Sequence, residues 1–482
     1  MRQPAQHFID GEWVGSETIS DSLSPADSRV LGQYADGGEH EARAAVTAAE
    51  RTFRETRWAH DRELRARALF EIADALEARQ DEIIRALAVE NGKVLGEAAF
   101  EVSLAIPKLR YYAGLALSDM GAASEVRPDT YSFSLRQPIG VAGVIVPWNS
   151  PVVLSIRSYA PALAAGCTVA MKLPGQTGLL NGLIAETIAA SNSLPAGVLN
   201  VFTESGNTGA PVLLRDPRVG VISYTGSTRV GRTIMREASE ALLPVSLELG
   251  GKTPMIVFED ADLDAAVPVL TKAITTFAGQ FCMTGSRILA HQPIAAELRE
   301  RLAASLSKVR IGPGDSPESD MGPMIDIANA DRVETFVEDA LSYAVPIVRG
   351  GRPTEPEFAK GAYYRPALLE IEDVAVPLVQ QEVFGPVGTF EVFTDEADAI
   401  AKANATEYGL AASVWTRDVD RPLRVARRID AGTVWTNTWG QVNDQFEEGG
   451  FKSSGIGRLN GKRALEEFQH IKHLVHQVSD EH

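Results

Sequence analysis

Apolar residues recur three and four apart from Glu39 to about Asn91, through EARAAVTAAERTFRETRWAH and then ELRARALFEIADALEARQDEIIRALAVE. That spacing gathers them on one helical face, and Asn91-Gly92 supplies a stop. The segment HFIDGEWV reads as a short strand with an Asp-Gly turn, and DTYSFSLRQP, residues 129 to 138, alternates like an exposed strand. From Gly140 the pattern changes. The β-rich runs VAGVIVPW, CTVAMKL, GVLNVFT and GVISYTG alternate with the helical runs LSIRSYAPALAAG, LNGLIAETIAASN and TRVGRTIMREASEALL. Strand and helix in turn predict an α/β fold with a parallel, doubly wound sheet. Such sheets bind ligands at the carboxyl ends of their strands. A second α/β segment follows LELGGKTPMIVFED and runs to about Gly440, with RILAH, PIVRG, VGTFEVF, LAASVWT and AGTVWTNT as strands. The C-terminal LEEFQHIKHLVHQVSDEH alternates weakly and suits an exchanged edge strand. No internal repeat or low-complexity tract is visible.

The chain has 482 residues, enough for roughly two to four domains. Its formal net charge of −18 argues against nucleic acid or an anionic membrane as the main partner, since both need a basic face. The two cysteines, Cys167 and Cys282, lie far apart and form no disulfide framework, which fits a reducing cytosol. The N-terminus has no apolar signal core, and no run of 18 or more apolar residues suggests a membrane span. A cytoplasmic protein is expected.

The candidate chemistry sits at strand ends. No G-x-G-x-x-G follows a strand, and GIGRLNG at 455 to 461 has the wrong spacing. In YTGSTRVG, Thr225, Gly226 and Ser227 end a strand before a helix, where backbone N–H groups and a hydroxyl can face a pyrophosphate or simply cap the helix. Lys172 in AMKLPGQT can reach ribose or phosphate, or lie at the surface. Asn149 in VPWNSP is a turn asparagine or a fixed donor to an oxyanion. Glu248 in SLELGGK faces solvent, or is a part-buried general base beside glycines that permit close approach. Cys282, in FAGQFCMTGSR on a glycine-bordered turn, is an inert small hydrophobe or a nucleophile. No histidine near it in sequence supports a Cys–His hydrolase. His470, His473 and His476 make H-x-x-H-x-x-H, but a strand points neighbouring ones to opposite faces, so no metal is expected.

Taken together, VPWNSP, YTGSTRVG, LELGGK, GQFCMTGSR, EVFGPV and GGFKSSGIGR come in the order and spacing of the aldehyde dehydrogenase superfamily. The chain resembles that family from FIDGEW to FKSSGIGR. The resemblance implies a Rossmann-like cofactor domain (1–120 and 139–248), an α/β catalytic domain (249–447) and a small β oligomerisation element (121–138 and 448–482) in a homodimer or homotetramer. It implies NAD or NADP as cofactor and an aldehyde as substrate. Cys282 matches the nucleophile, Glu248 the general base and Asn149 the oxyanion donor. Val146, Pro147 and Trp148 fall in the cofactor-binding set, as do Gly206, Thr225, Val230 and Leu249. Lys172 matches the lysine that reaches the adenosine ribose, Gly226 and Ser227 the pyrophosphate turn, and Glu382 and Phe384 the residues around the nicotinamide. Cys167 is read as packing.

The implied reaction oxidises the aldehyde through a thiohemiacetal and a thioester hydrolysed by Glu248-activated water. Glu248 counts against a CoA-acylating semialdehyde dehydrogenase, and both Glu248 and Cys282 count against a non-catalytic binding protein. Several positions depart from the family. Gly175 stands where Glu is common, which points to room for a 2′-phosphate and acceptance of NADP beside NAD. Ser158 replaces a frequent Lys, and Ser150 a frequent aromatic, so the substrate tunnel is expected to be less aromatic. Arg157 resembles the carboxylate-binding arginine of succinic semialdehyde dehydrogenases; it could equally pair with an acid, Glu447 or Glu448 being candidates.

Overall fold

A computed structural model describes residues 3–118 and 120–479. The first helical run divides where its capping residues lie. Glu41 reaches back to the Gly38 N–H at 2.8 Å to start the helix Glu39–Glu55. Asp61 accepts from Leu64 N–H at 2.9 Å to start Arg62–Ala78. The run then continues through Gln80–Ala86 and a wider turn, Leu87–Asn91, and stops at Gly92, whose φ of 87° suits glycine. A long helix, Leu95–Ser118, is not evident from hydrophobic spacing, because its buried face carries Glu101 and Lys108 among the apolar residues.

Eight strands form the first sheet, in the order Glu12–Val14, His7–Ile9, Leu199–Glu204, Thr168–Pro174, Val141–Ile145, Val219–Thr225, Val245–Glu248 and Gly455–Ile456. The middle five run parallel. Alternate residues feed two cores. Ala142, Val144, Val169 and Met171 pack with the helices Arg62–Ala78, Leu95–Ser118 and Pro151–Ala165. Val141, Ile145, Ala170 and Ile222 pack with Glu39–Glu55 and Ala210–Arg215 on the other face. This is the doubly wound arrangement expected. Chain order reverses between Val141–Ile145 and Val219–Thr225, so a crevice opens at their carboxyl ends. The N-terminal hairpin turns on Asp10 and Gly11, both at positive φ.

Seven strands form the second sheet: Val345–Val348, Ala367–Glu370, Val387–Phe393, Arg287–His291, Pro254–Val257, Ala411–Trp415 and Thr433–Thr436, parallel except at the Val345 edge. The C-terminal strand Gln469–Gln477 pairs antiparallel with Thr130–Pro138, which also holds Ala122–Arg127. GIGRLNG opens in a two-residue strand antiparallel to Val245–Glu248 and tethers the C-terminal region to the first sheet. No helix of the described residues is long and apolar enough to cross a membrane.

The strand after the Cys282 loop begins at a buried ion pair. Arg287 donates to both Glu391 oxygens at 2.9 and 2.6 Å and to the Lys402 carbonyl at 2.8 Å. Arg287→Met leaves the Glu391 carboxylate buried without its cation. The expected loss is about 3–5 kcal/mol of stability, read as a lowered urea midpoint; a midpoint equal to wild type would contradict this role for the pair.

Candidate active site

Cys282 lies on the loop that leads into the amino end of Arg287–His291; in the other sheet Asn149 follows the carboxyl end of Val141–Ile145 and Glu248 is the last residue of Val245–Glu248. The reactive-looking groups therefore meet where two sheets face each other end to end. The Cys282 loop is held in an uncommon shape. Phe277 and Ala278 have φ of 55° and 51°, a conformation costly for residues with a Cβ. Glu97 accepts the Phe277 N–H at 2.9 Å. The Gln280 side chain donates to the Phe277 carbonyl at 3.0 Å and accepts from Ile325 N–H at 2.9 Å. A Cβ on Gly279 would stand 2.1 Å from Gly385, and one on Gly251 would stand 2.5 Å from the Cys282 carbonyl. The glycines of LELGGK thus permit the close approach the sequence suggested, with Gly250 against the Glu382 carboxylate.

The Asn149 amide donates to the Gln280 carbonyl at 3.1 Å, which ties the two loops together. Lys93 fixes Asn149 from behind by donating to its carbonyl, while pairing with Glu101 at 3.1 Å and lying over the Phe277 ring. Glu101 in turn accepts the Val152 and Val153 N–H groups at 2.9 and 3.2 Å, at the start of the helix Pro151–Ala165. Asn149 and Cys282 border a cavity whose walls include Phe100, Leu104, Val153 and Phe281. Glu248 is 4% exposed, and its Oε1 has no hydrogen-bond partner. Burial first, and the Glu448 charge next, hold its carboxyl well above the ordinary range, while Arg157 opposes them. Cys282 is half-buried. Desolvation pushes its thiol up to about 12, with Arg157 the main opposing influence.

The sequence pattern of the aldehyde dehydrogenase family matches residues 13–474. The chain belongs to that family. As a member it is an oxidoreductase acting on aldehydes with a nicotinamide dinucleotide cofactor. It is 37% identical to betaine aldehyde dehydrogenase of Bacillus subtilis (strain 168), over 97% of this chain and 96% of that one. It is also 37% identical to phenylacetaldehyde dehydrogenase of Pseudomonas fluorescens, over 98% and 96%. A crystal structure of betaine aldehyde dehydrogenase from Staphylococcus aureus in complex with NAD+ superposes with a TM-score of 0.95 at 34% identity, covering 98% of this chain and 94% of that one.

In this dehydrogenase the remaining candidates gather around the crevice of the first sheet. Val146, Pro147 and Trp148 leave the central strand, and Trp148 meets Phe384 edge-on at 5.5 Å. Glu382 accepts the Gly251 N–H at 3.1 Å, and burial raises its carboxyl to about 7. Gly226 donates to the Glu248 carbonyl at 2.9 Å, and Ser227 caps the helix Thr228–Ser239 through Val230 N–H at 3.4 Å. Val230 and Leu249 pack in one core, with Leu249 against Gly231. Lys172 stands 3.9 Å from Glu204, whose buried Oε2 has no hydrogen-bond partner, and the Cβ side of Gly206 is open to 3.8 Å.

At Gly175 a Cβ would lie 2.6 Å from Ser205 and 2.7 Å from the Tyr34 hydroxyl, so a side chain there would displace these neighbours. Asp36, bonded to Ser205 at 2.5 Å, adds negative charge to the Lys172 surroundings. The aromatics of the cavity wall, Phe100, Phe277 and Phe281, come from segments other than the one that carries Ser150, and Trp439 packs edge-on against Phe281. Arg157 lines the cavity but is already paired, with Glu448 at 3.1 Å; Glu447 is exposed. Cys167 is buried and donates to the Phe468 carbonyl at 3.3 Å, as packing requires. His470, His473 and His476 lie on an exposed strand and face Gln137, Ser134 and Tyr131 in register. Lys93, Glu97 and Glu101 did not emerge from motif reading. Their signal was charge at helical spacing within an otherwise apolar stretch, the pattern of a buried charged face.

Proposed function

We propose that Cys282 is the nucleophile, Asn149 the oxyanion donor and Glu248 the general base of aldehyde oxidation. The observation that supports this most is the meeting of Cys282 and Asn149 in one cavity, with the unpartnered Glu248 carboxyl close enough to act on the thiol electrostatically. The thiol proton passes to a carboxylate or solvent, and the sulfur adds to the carbonyl carbon. One Asn149 N–H is committed to Gln280 and the other is available for the oxyanion. The bound nicotinamide supplies the hydride acceptor, and the carbon on Cys282 becomes a thioester. Glu248 then takes a proton from water as that water attacks, releasing the carboxylic acid. This requirement for Glu248 favours hydrolysis over transfer to CoA, and the presence of both groups favours catalysis over a purely binding role.

The buried, unpartnered Glu204 oxygen beside Lys172 and the open side of Gly206 suit the adenosine ribose. Trp148, Glu382 and Phe384 would hold the nicotinamide end, with Ser227 and the start of its helix at the pyrophosphate. The division into a cofactor part, a catalytic part and an oligomerisation element belongs to the same proposal. Val126, Ile471 and Val475, exposed on the three-stranded sheet, support a homodimer or homotetramer. The two unpaired cysteines support a cytoplasmic setting. The apolar walls, and an Arg157 already bonded to Glu448, favour an apolar or aromatic aldehyde over an anionic one.

Cys282→Ala is expected to abolish oxidation while NAD still binds. Glu248→Gln should give a burst of reduced cofactor and a steady state slower by about 10²–10⁴-fold. Near-normal turnover in either variant would overturn its assignment. For cofactor choice, Glu204 and Asp36 beside Lys172 disfavour a 2′-phosphate, so kcat/KM should be higher with NAD than with NADP. Equal values for the two cofactors would contradict that reading.

A further inference from the structure

A buried ion pair stands beside the proposed reaction centre and has no part in the steps above. Arg157 and Glu448 are 5% and 7% exposed. Arg157 Nη1 donates to Glu448 Oε1 at 3.1 Å and Nη2 to Thr225 Oγ1 at 3.3 Å, while Nε is buried without a partner. Glu448 is fixed from behind, since its Oε2 accepts from Asn460 at 2.8 Å. Asn460 accepts from Lys108 at 2.6 Å, and Lys108 also pairs with Asp444 at 2.5 Å. Thr225 is the cross-strand partner of Glu248, and Arg157 shares a cavity with Cys282. One guanidinium is therefore held near both groups that must carry negative charge during the reaction.

We propose that Arg157, clamped by Glu448, is a positioning residue that supplies a shared counter-charge to the Cys282 thiolate and the Glu248 carboxylate, and does not read an anionic substrate. The proposal rests on the assignment of Cys282 as nucleophile and Glu248 as base. When the Cys282 S–H bond breaks and its proton forms an O–H bond on the Glu248 carboxylate, one negative charge moves from oxygen to sulfur; Glu248 passes that proton to solvent before it serves as base toward the hydrolytic water. The number of anions facing Arg157 is unchanged, so the transfer takes place without moving net charge into or out of a dry cavity. An arginine suits this because it stays charged when buried. The other charged groups acting on the thiol are Glu448, Glu248 and Glu382, all of which oppose its ionisation. Lys108 and Glu101 on the cavity wall are taken up by Asp444 and Lys93. A substrate carboxylate would have to displace Glu448 from a desolvated pair, which the apolar walls do not repay.

The test is the pH dependence of Cys282 alkylation by iodoacetamide in the full-length protein, with peptide mass spectrometry separating Cys282 from Cys167. At fixed pH near 8, Arg157→Met should slow alkylation by about tenfold or more, equivalent to an upward shift of about one pH unit. Arg157→Lys should recover part of that rate, and Glu448→Gln, which keeps the shape of the side chain, should speed it. Profiles unmoved by Arg157→Met and Glu448→Gln would overturn the proposal. If Arg157→Met does not fold, the direction of the Glu448→Gln shift decides. Aldehydes of equal length ending in a carboxylate or a methyl group form the second arm. A wild-type preference for the carboxylate that Arg157→Met erases would also overturn it, and a preference for the neutral aldehyde is expected. Full turnover in Cys282→Ala would instead sink the underlying assignment and leave the alkylation result readable.

Discussion

The site depends on one juxtaposition: the loop at the amino end of one parallel sheet is pressed against the carboxyl ends of another. The contact is drawn tight by the Asn149 amide on the Gln280 carbonyl, at 3.1 Å, and by Gly251, which lacks the Cβ that would strike the Cys282 carbonyl. Neither sheet alone provides the arrangement. The first offers a crevice where chain order reverses, and the second offers a sulfur on a backbone turn held at positive φ by Glu97 and Gln280. The C-terminal segment secures the junction by adding Gly455–Ile456 beside Glu248 and by bringing Glu448 to Arg157.

Charge buried around this junction is costly unless matched, and the pairs are arranged in sequence. Lys93 answers Glu101, Arg157 answers Glu448, and Lys108 answers Asp444. Each pair joins segments distant in the chain or fixes a loop of the site, so these charges set geometry more than they add stability. Glu248 and Glu382 differ: neither has an ion-pair partner as close, burial raises both carboxyls, and both stand near Cys282. Groups poised in this way are suited to gaining and losing protons near neutrality.

Much of this was legible in the sequence, and the failures share a cause. Strands such as VAGVIVPW and CTVAMKL announced themselves because both faces are buried, which leaves continuous apolar runs bounded by glycine and proline. The helix Leu95–Ser118 did not, because Glu101, which pairs with Lys93, and Lys108, which holds Asp444 and Asn460, put charge on its buried face. The neighbours of Gly175 could not be read locally either, since Tyr34 and Ser205, remote in the chain, stand where a Cβ would project. For Arg157 the sequence left two readings open, a substrate carboxylate or an acid such as Glu448, and only the fold brings Glu448, 291 residues away, to its guanidinium. Local chemistry could be read from motifs, whereas what neutralises or crowds a residue comes from elsewhere in the fold.

The central claim is that the Cys282 sulfur carries the acyl group and Glu248 directs water to it. The most direct measurement is peptide mass spectrometry of Glu248→Gln, quenched with acid during turnover of an aromatic aldehyde with NAD. The account predicts that the peptide containing Cys282 gains the mass of the acyl group. An unmodified Cys282 peptide, with product still forming, would contradict it.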